Sequence, residues 1–159
     1  VQLLPGVAHF ATHGVPIAIA TSSRRRKYER KTAHLQHIFA RFGEHVVCGD
    51  DGAGRGKPFL DVFLVAVRVL GRAVGSSEDD STAGVGGAEH AERARGLVFE
   101  DAIPGVQAGK RAGMSVVWVP DQDLLNVGCS RAVEQPDQSQ TLRSLEHFVP
   151  EEWVYLPLS

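Results

Sequence analysis

The stretch RGLVFEDAIPGVQAGKRAGMSVVWVPD, Arg95 to Asp121, limits the fold more than any other part of the chain. A short apolar run, Leu97-Val98-Phe99, stops at two adjacent acids, Glu100 and Asp101, and the chain then turns through Pro104 into a small-residue helix. Pro104 suits a first helical position because it has no N–H to waste there, and Gly113 suits the residue just past a helix end, where positive φ is needed. A second apolar run, Ser115 to Val119, completes a strand–helix–strand unit whose two strands should lie parallel. Ligands of open α/β sheets bind at the carboxyl ends of the strands, where Glu100 and Asp101 fall. The same acids are equally suited to capping the next helix and complementing its dipole.

The length of 159 residues and 43% hydrophobic content predict one soluble globular domain, residues 1–159. A formal net charge of −2 gives no global reason to expect nucleic acid or an anionic membrane as partner. Cys48 and Cys129 form no CxxC pair and no disulfide framework, which predicts structural thiols in a reducing compartment and a cytoplasmic location. No apolar run is long enough to span a bilayer, and no signal-peptide pattern opens the chain. Val1 in place of Met hints at a processed or incomplete chain.

Leu3, Leu4, Val7, Ala8 and Phe10 recur at helical spacing up to Gly14. Val15 to Ala20 is a continuous apolar run of the kind a strand buried on both faces requires, and it ends in Thr21-Ser22-Ser23. These hydroxyls suit an N-cap, and they equally suit a phosphate held by hydroxyls and free helix N–H groups. Between Ser23 and Phe42 the apolar positions share one helical face, while Arg24, Arg25, Arg26, Lys27, Arg30 and Lys31 crowd the first part. A solvated face explains that cluster better than a nucleic-acid surface, because no aromatic interleaving or second basic patch accompanies it. His34 and His37 lack partners at ligand spacing and read as surface or packing residues.

Glu44 to Gly49 reads as a third strand, left through a Gly49–Gly52 turn. The loop Gly52 to Pro58 fails as a P-loop: Asp51 stands where the first Gly belongs, and Pro58 where a Ser or Thr would hold Mg²⁺. What survives is Lys57, followed by a helix-starting Pro58 and a heavily apolar helix from Phe59 to Leu70. Segments 75–95 and 130–140 read as flexible loops, Thr141 to Leu145 as a turn or two of helix, and Trp153, Tyr155 and Leu156 as a tail packing back on the body. Parallel strands would bring Thr21, Ser22, Ser23, Lys57, Glu100 and Asp101 to one edge. That set suits a phosphoryl group with Mg²⁺: hydroxyls for oxygens, an ammonium to offset charge, and a carboxylate for a hard cation.

The chain resembles the haloacid dehalogenase superfamily, and within it the small-metabolite phosphatases of the pseudouridine-5′-phosphatase and β-phosphoglucomutase kind. The resemblance rests on IAIATSS (Ile17 to Ser23), Lys31-Thr32, VVCGDD (Val46 to Asp51), GKPFLDVFL (Gly56 to Leu64), LVFEDAIPGVQAGKRAGMSVVWVPD (Leu97 to Asp121) and SLEHFVPEEW (Ser144 to Trp153). It implies a three-layer α/β/α sandwich on a Rossmann-like parallel sheet. It also implies Mg²⁺-dependent hydrolysis of a small phosphorylated metabolite, with Thr21 as second-motif phosphate ligand and Lys57 as third-motif lysine. Ser22 and Ser23 would line the phosphate site, and Asp101, then Glu100, would hold the metal.

The family's first motif, a strand ending in Asp-x-Asp-Gly-Thr that carries the nucleophile, is missing, as is the helical cap that follows it. Asp121 and Asp123 reproduce the Asp-x-Asp spacing, but no Gly-Thr follows, and the resemblance assigns them to the loop after the fourth motif. Leu60 stands where the family has Pro. In the family's sheet the first-motif strand lies between the strands here at Pro16–Ala20 and Leu97–Phe99. Those two should therefore expose facing edges or pair directly, with the loss of several kcal/mol of burial in a domain worth about 5–15 kcal/mol. The expectation is an N-terminally truncated phosphatase that turns over nothing by itself. The alternatives are a non-catalytic fragment or pseudoenzyme binding a phosphate ligand or partner chain, a phosphomutase, and, ranked last, a basic-helix nucleic-acid binder.

Overall fold

A computed structural model describes residues 5–52, 54–74, 86–121 and 139–153. The elements run α1 (Pro5–Thr12), β1 (Ile19–Ala20), α2 (Arg25–Thr32), α3 (Gln36–Phe39), β2 (Val46–Val47), α4 (Asp61–Val69), α5 (Gly87–Ala94), β3 (Leu97–Glu100), α6 (Ile103–Arg111), β4 (Ser115–Trp118) and β5 (Ser139–Thr141), with short 3₁₀ turns between them. All strand pairs are parallel: β1 with β2, β3 with β4, and β4 with β5. This is a Rossmann-like α/β architecture, as expected.

The strands form two separately bonded sheets, β1-β2 and β3-β4-β5. Of the two outcomes foreseen for Pro16–Ala20 and Leu97–Phe99, direct pairing is not the one adopted, and among the described residues the two strands leave facing edges unpaired. The halves nevertheless share one layer. Val47, Val98, Val116 and Trp118 are buried with α4 and α6 in one cluster, against which Ala18 and Ala20 pack. On the opposite face Val117, Phe10 and Phe148 are buried together, with Val15, Ile17, Leu97, Phe99 and Trp153 packed on them. Alternate residues of β4 thus face opposite cores, the signature of a strand covered on both sides. The predicted tail contact holds at Trp153, whereas Tyr155 and Leu156 lie outside the described residues.

Several local expectations are corrected. Ile19 and Ala20 are only half-buried, because among the described residues β1 has a strand neighbour on one edge alone. The single helix expected from Ser23 to Phe42 breaks after Thr32, whose hydroxyl donates back to Tyr28 O at 3.0 Å; such back-bonding bends helices. Pro58 precedes α4 by three positions instead of opening it, and Leu60 is the N-cap. Within 75–95, the run Gly87–Ala94 is helical, because GAEHAERA is rich in helix formers and ties down through Arg72–Glu92 at 3.2 Å; residues 75–85 lie outside the described set. Within 130–140, Ser139 and Gln140 open β5, so the polar run is an edge strand and not a loop at that point. Thr141 ends that strand, and the short 3₁₀ turn falls later, at Leu145–His147. No helix among the described residues is long and apolar enough to cross a membrane.

Candidate functional site

Lys57 joins the ends of the two sheets. Its Nζ donates to Ala20 O, the last residue of β1, at 3.2 Å, and pairs with Glu100, the last residue of β3. The two side chains are 14% and 8% exposed, so the pair is largely dry. The ammonium also lies 5.1 Å from the centre of the Phe63 ring, a cation–π contact supplied by α4. One cation on the loop before α4 therefore ties the end of β1 to the end of β3, at the edge where ligands of parallel sheets bind.

The Thr21–Ser23 loop follows directly. Thr21 N–H donates to Val47 O at 2.9 Å, and the Thr21 hydroxyl accepts Ser23 N–H at 3.1 Å, leaving its own proton to donate elsewhere. Thr21 and Ser23 are half-buried and Ser22 is exposed. Of the helix N–H groups expected to be free for an anion, that of Arg25 is already bonded to Asp50 Oδ1 at 2.7 Å.

Glu100 and Asp101 are adjacent but differently placed. Burial pushes the Glu100 carboxyl above its ordinary pKa, a rise that the Lys57 contact only partly offsets and that neighbouring Asp101 reinforces. Its carboxylate rests on Gly105, where a Cβ would collide with it, so the glycine of AIPG is what lets the acid lie flat on the start of α6. Asp101 is exposed, and Trp118 fixes its backbone by donating Nε1–H to Asp101 O at 3.1 Å. The acid pair thus divides into one carboxylate committed to Lys57 and one open to solvent.

Among the described residues no three His, Cys, Asp or Glu side chains cluster as a metal site. A dry protein cage is therefore not present there. Of the two acids, the exposed Asp101 is the one whose carboxylate could hold a hydrated hard cation such as Mg²⁺, which would supply countercharge to a phosphate. Asp121 lies exposed three residues beyond β4, and Asp123 falls outside the described set. His34 and His37 are exposed, as expected of surface residues. A hollow of about 460 Å³ lined by Arg25, Tyr28, Thr32, Gln36, Phe39 and others lies away from Thr21, Lys57 and Asp101.

Four contributors escaped the sequence reading. Ala20 acts through its backbone carbonyl, which no side-chain pattern reveals. Trp118, in the sequence only one residue of the apolar run Ser115 to Val119, is buried, and its indole N–H also serves the Asp101 loop. The Arg25–Asp51 ion pair links residues 26 apart, beyond any local spacing rule. Gly105 had a visible signal, a glycine one residue after Pro104 in the first turn of α6, where most small residues would serve the helix better.

Comparison with known proteins supplies the family. The profile of haloacid dehalogenase-like hydrolases matches residues 1–113. The chain is 38% identical over 157 residues to (DL)-glycerol-3-phosphatase 1, mitochondrial, of Arabidopsis thaliana, covering 96% of this chain and 45% of that protein. It is 37% identical over 158 residues to the probable pseudouridine-5′-phosphatase of Drosophila melanogaster, covering 96% of this chain and 58% of that one. It thus spans about half the length of these curated relatives. A crystal structure of an HAD hydrolase, family IA, variant 3, from Entamoeba histolytica HM-1:IMSS superposes with TM-score 0.64 at 20% identity, over 91% of this chain and 54% of that one, a likeness of fold. With most of the chain matched by one profile and its strand ends gathered by Lys57, the chain belongs to the haloacid dehalogenase-like hydrolases.

Proposed function

We propose that this chain carries the phosphate-holding and metal-holding side of a Mg²⁺-dependent phosphatase that acts on a small phosphorylated metabolite. The observation that carries the reading is the position of Lys57, bonded at once to Ala20 O beside Thr21 and to Glu100 beside Asp101. Those two contacts support a shared site, in which hydroxyl donors, an ammonium and an open carboxylate would serve one phosphate and one hydrated cation. The names of the relatives, phosphatases of glycerol 3-phosphate and pseudouridine 5′-phosphate, support a small phosphate monoester as the substrate class.

In this reading Thr21, with Ser22 and Ser23, donates to phosphate oxygens, and Lys57 turns part of its charge from Glu100 toward the ligand. Asp101 holds Mg²⁺, which when bound screens the phosphate charge. The sequence contains no Asp-x-Asp-Gly-Thr segment, so the chain by itself is assigned ligand holding and not turnover. The test is a phosphatase assay on the 159-residue chain, alone and with Asp121→Asn and Asp123→Asn, alongside Mg²⁺ and phosphate titrations. No Mg²⁺-dependent hydrolysis is expected from any of them, and activity that survives both substitutions would defeat that assignment. Loss of phosphate binding in Thr21→Val and Lys57→Met supports the site, and binding unchanged in both removes it.

A further inference from the structure

The turn that leaves β2, Gly49-Asp50-Asp51, is bonded to the Thr21–Arg25 segment at each of its residues. Gly49 N–H donates to Ser23 O at 3.0 Å, and a Cβ at Gly49 would come within 2.6 Å of Ser22 O. Asp50 Oδ1 accepts Arg25 N–H at 2.7 Å. Asp51 pairs with the Arg25 guanidinium, and its Oδ2 also accepts Cys48 N–H at 2.7 Å. The guanidinium reaches Val46 O at 2.8 Å as well, so Arg25 is tied to β2 and to its exit together.

Helix starts ordinarily find their cap in the residue just before them. Here Arg24 occupies the N-cap position of α2 with no side-chain cap bond, and Asp50, 25 residues beyond Arg25, supplies the acceptor for the Arg25 N–H. Borrowing the cap from another strand's exit fixes the start of α2 relative to β2. The loop between is then held at both ends, at Thr21 by Val47 O and at Arg25 by Asp50. Two carboxylates beside an anion site oppose the anion through their charge. That cost is reduced because Asp51 is paired with Arg25 and Asp50 sits at the positive end of a helix.

We propose that Asp50 and Asp51 are positioning residues: they clamp the start of α2 so that Thr21, Ser22 and Ser23 are preset to receive phosphoryl oxygens, and they bind neither metal nor substrate. The clamp rests on the reading of Thr21–Ser23 as the phosphate site. A bond to Asp50, and not its charge, is what the clamp requires.

The experiment follows inorganic phosphate binding to the whole chain by the amide resonances of Ser22 and Ser23, with hydrogen exchange of the Ser23 amide measured separately without phosphate. In Asp50→Ala the phosphate dissociation constant rises about fivefold, the factor typical of a lost helix cap, and Ser23 exchange accelerates by a similar factor. In Asp50→Asn both stay within about twofold of the parent, because Asn caps as well as Asp. Phosphate binding in Asp50→Ala as tight as the parent or tighter, with unchanged Ser23 exchange, overturns the clamp. So does an Asn variant that behaves like Ala. If the parent chain shows no phosphate response at Ser22 and Ser23, the functional reading fails, and the Ser23 exchange rates alone decide the clamp.

Discussion

Glu100 and Asp51 each face a cation, yet their protonation equilibria move in opposite directions. For Asp51, partial burial raises the pKa, but the Cys48 N–H and Arg25 outweigh it and hold the carboxyl below its ordinary value. Its stabilising contribution is therefore full above the ordinary carboxylate range and is lost as pH falls through the lowered value. The melting difference between parent and Asp51→Asn should be widest near neutrality and should close on acidification, as thermal melts at successive pH values will read. Glu100 is the reverse: with its pKa raised, the folded chain binds a proton before the unfolded chain does, so the parent gains on Glu100→Gln as pH falls through the raised value. Gly105→Ala places a methyl group against the Glu100 carboxylate and should cost about 1–3 kcal/mol in urea unfolding, since either the acid or α6 must move.

Among the elements, the facing edges of β1 and β3 have the plainest consequence. The ladder to β4 runs from Ser115 N to Gly96 O and from Val119 N to Glu100 O, which turns the Leu97 and Phe99 amides away from β4. Those two amides should exchange with solvent much faster than Val116 and Val117, which lie inside the three-stranded sheet and are fully buried. Equal protection at all four would show that the β3 edge is covered in solution. The two strands, their end residues and α6 were legible because apolar runs, a proline and a glycine are local signals. The break at Thr32 was not, since one hydroxyl's choice of Tyr28 O overrides a sound helical period. β5 escaped because a polar edge strand, Ser139-Gln140-Thr141, carries no alternation of apolar residues to read. The site was legible as a set of residues but not as a set of bonds. Lys57 and Glu100 are 43 positions apart, and nothing local foretells that they satisfy each other.

At the scale of the whole molecule, α4 does what a shared strand otherwise would: it packs on β1 and β2 and touches α6, so both sheets lean on one apolar helix. Leu60, at the mouth of that helix, is fully buried. Leu60→Ala should cost roughly 2–5 kcal/mol, and circular dichroism and tryptophan fluorescence should still report one coincident transition if the two halves unfold together. Separated transitions would mean that they melt as independent units. The bridge made by Lys57 between these halves has a thermodynamic corollary. If an anion binds as proposed and draws the ammonium toward itself, Glu100 loses countercharge in a dry place, which favours its protonated form. Phosphate capture should then be accompanied by proton uptake, read as a binding heat that changes with the ionisation enthalpy of the buffer.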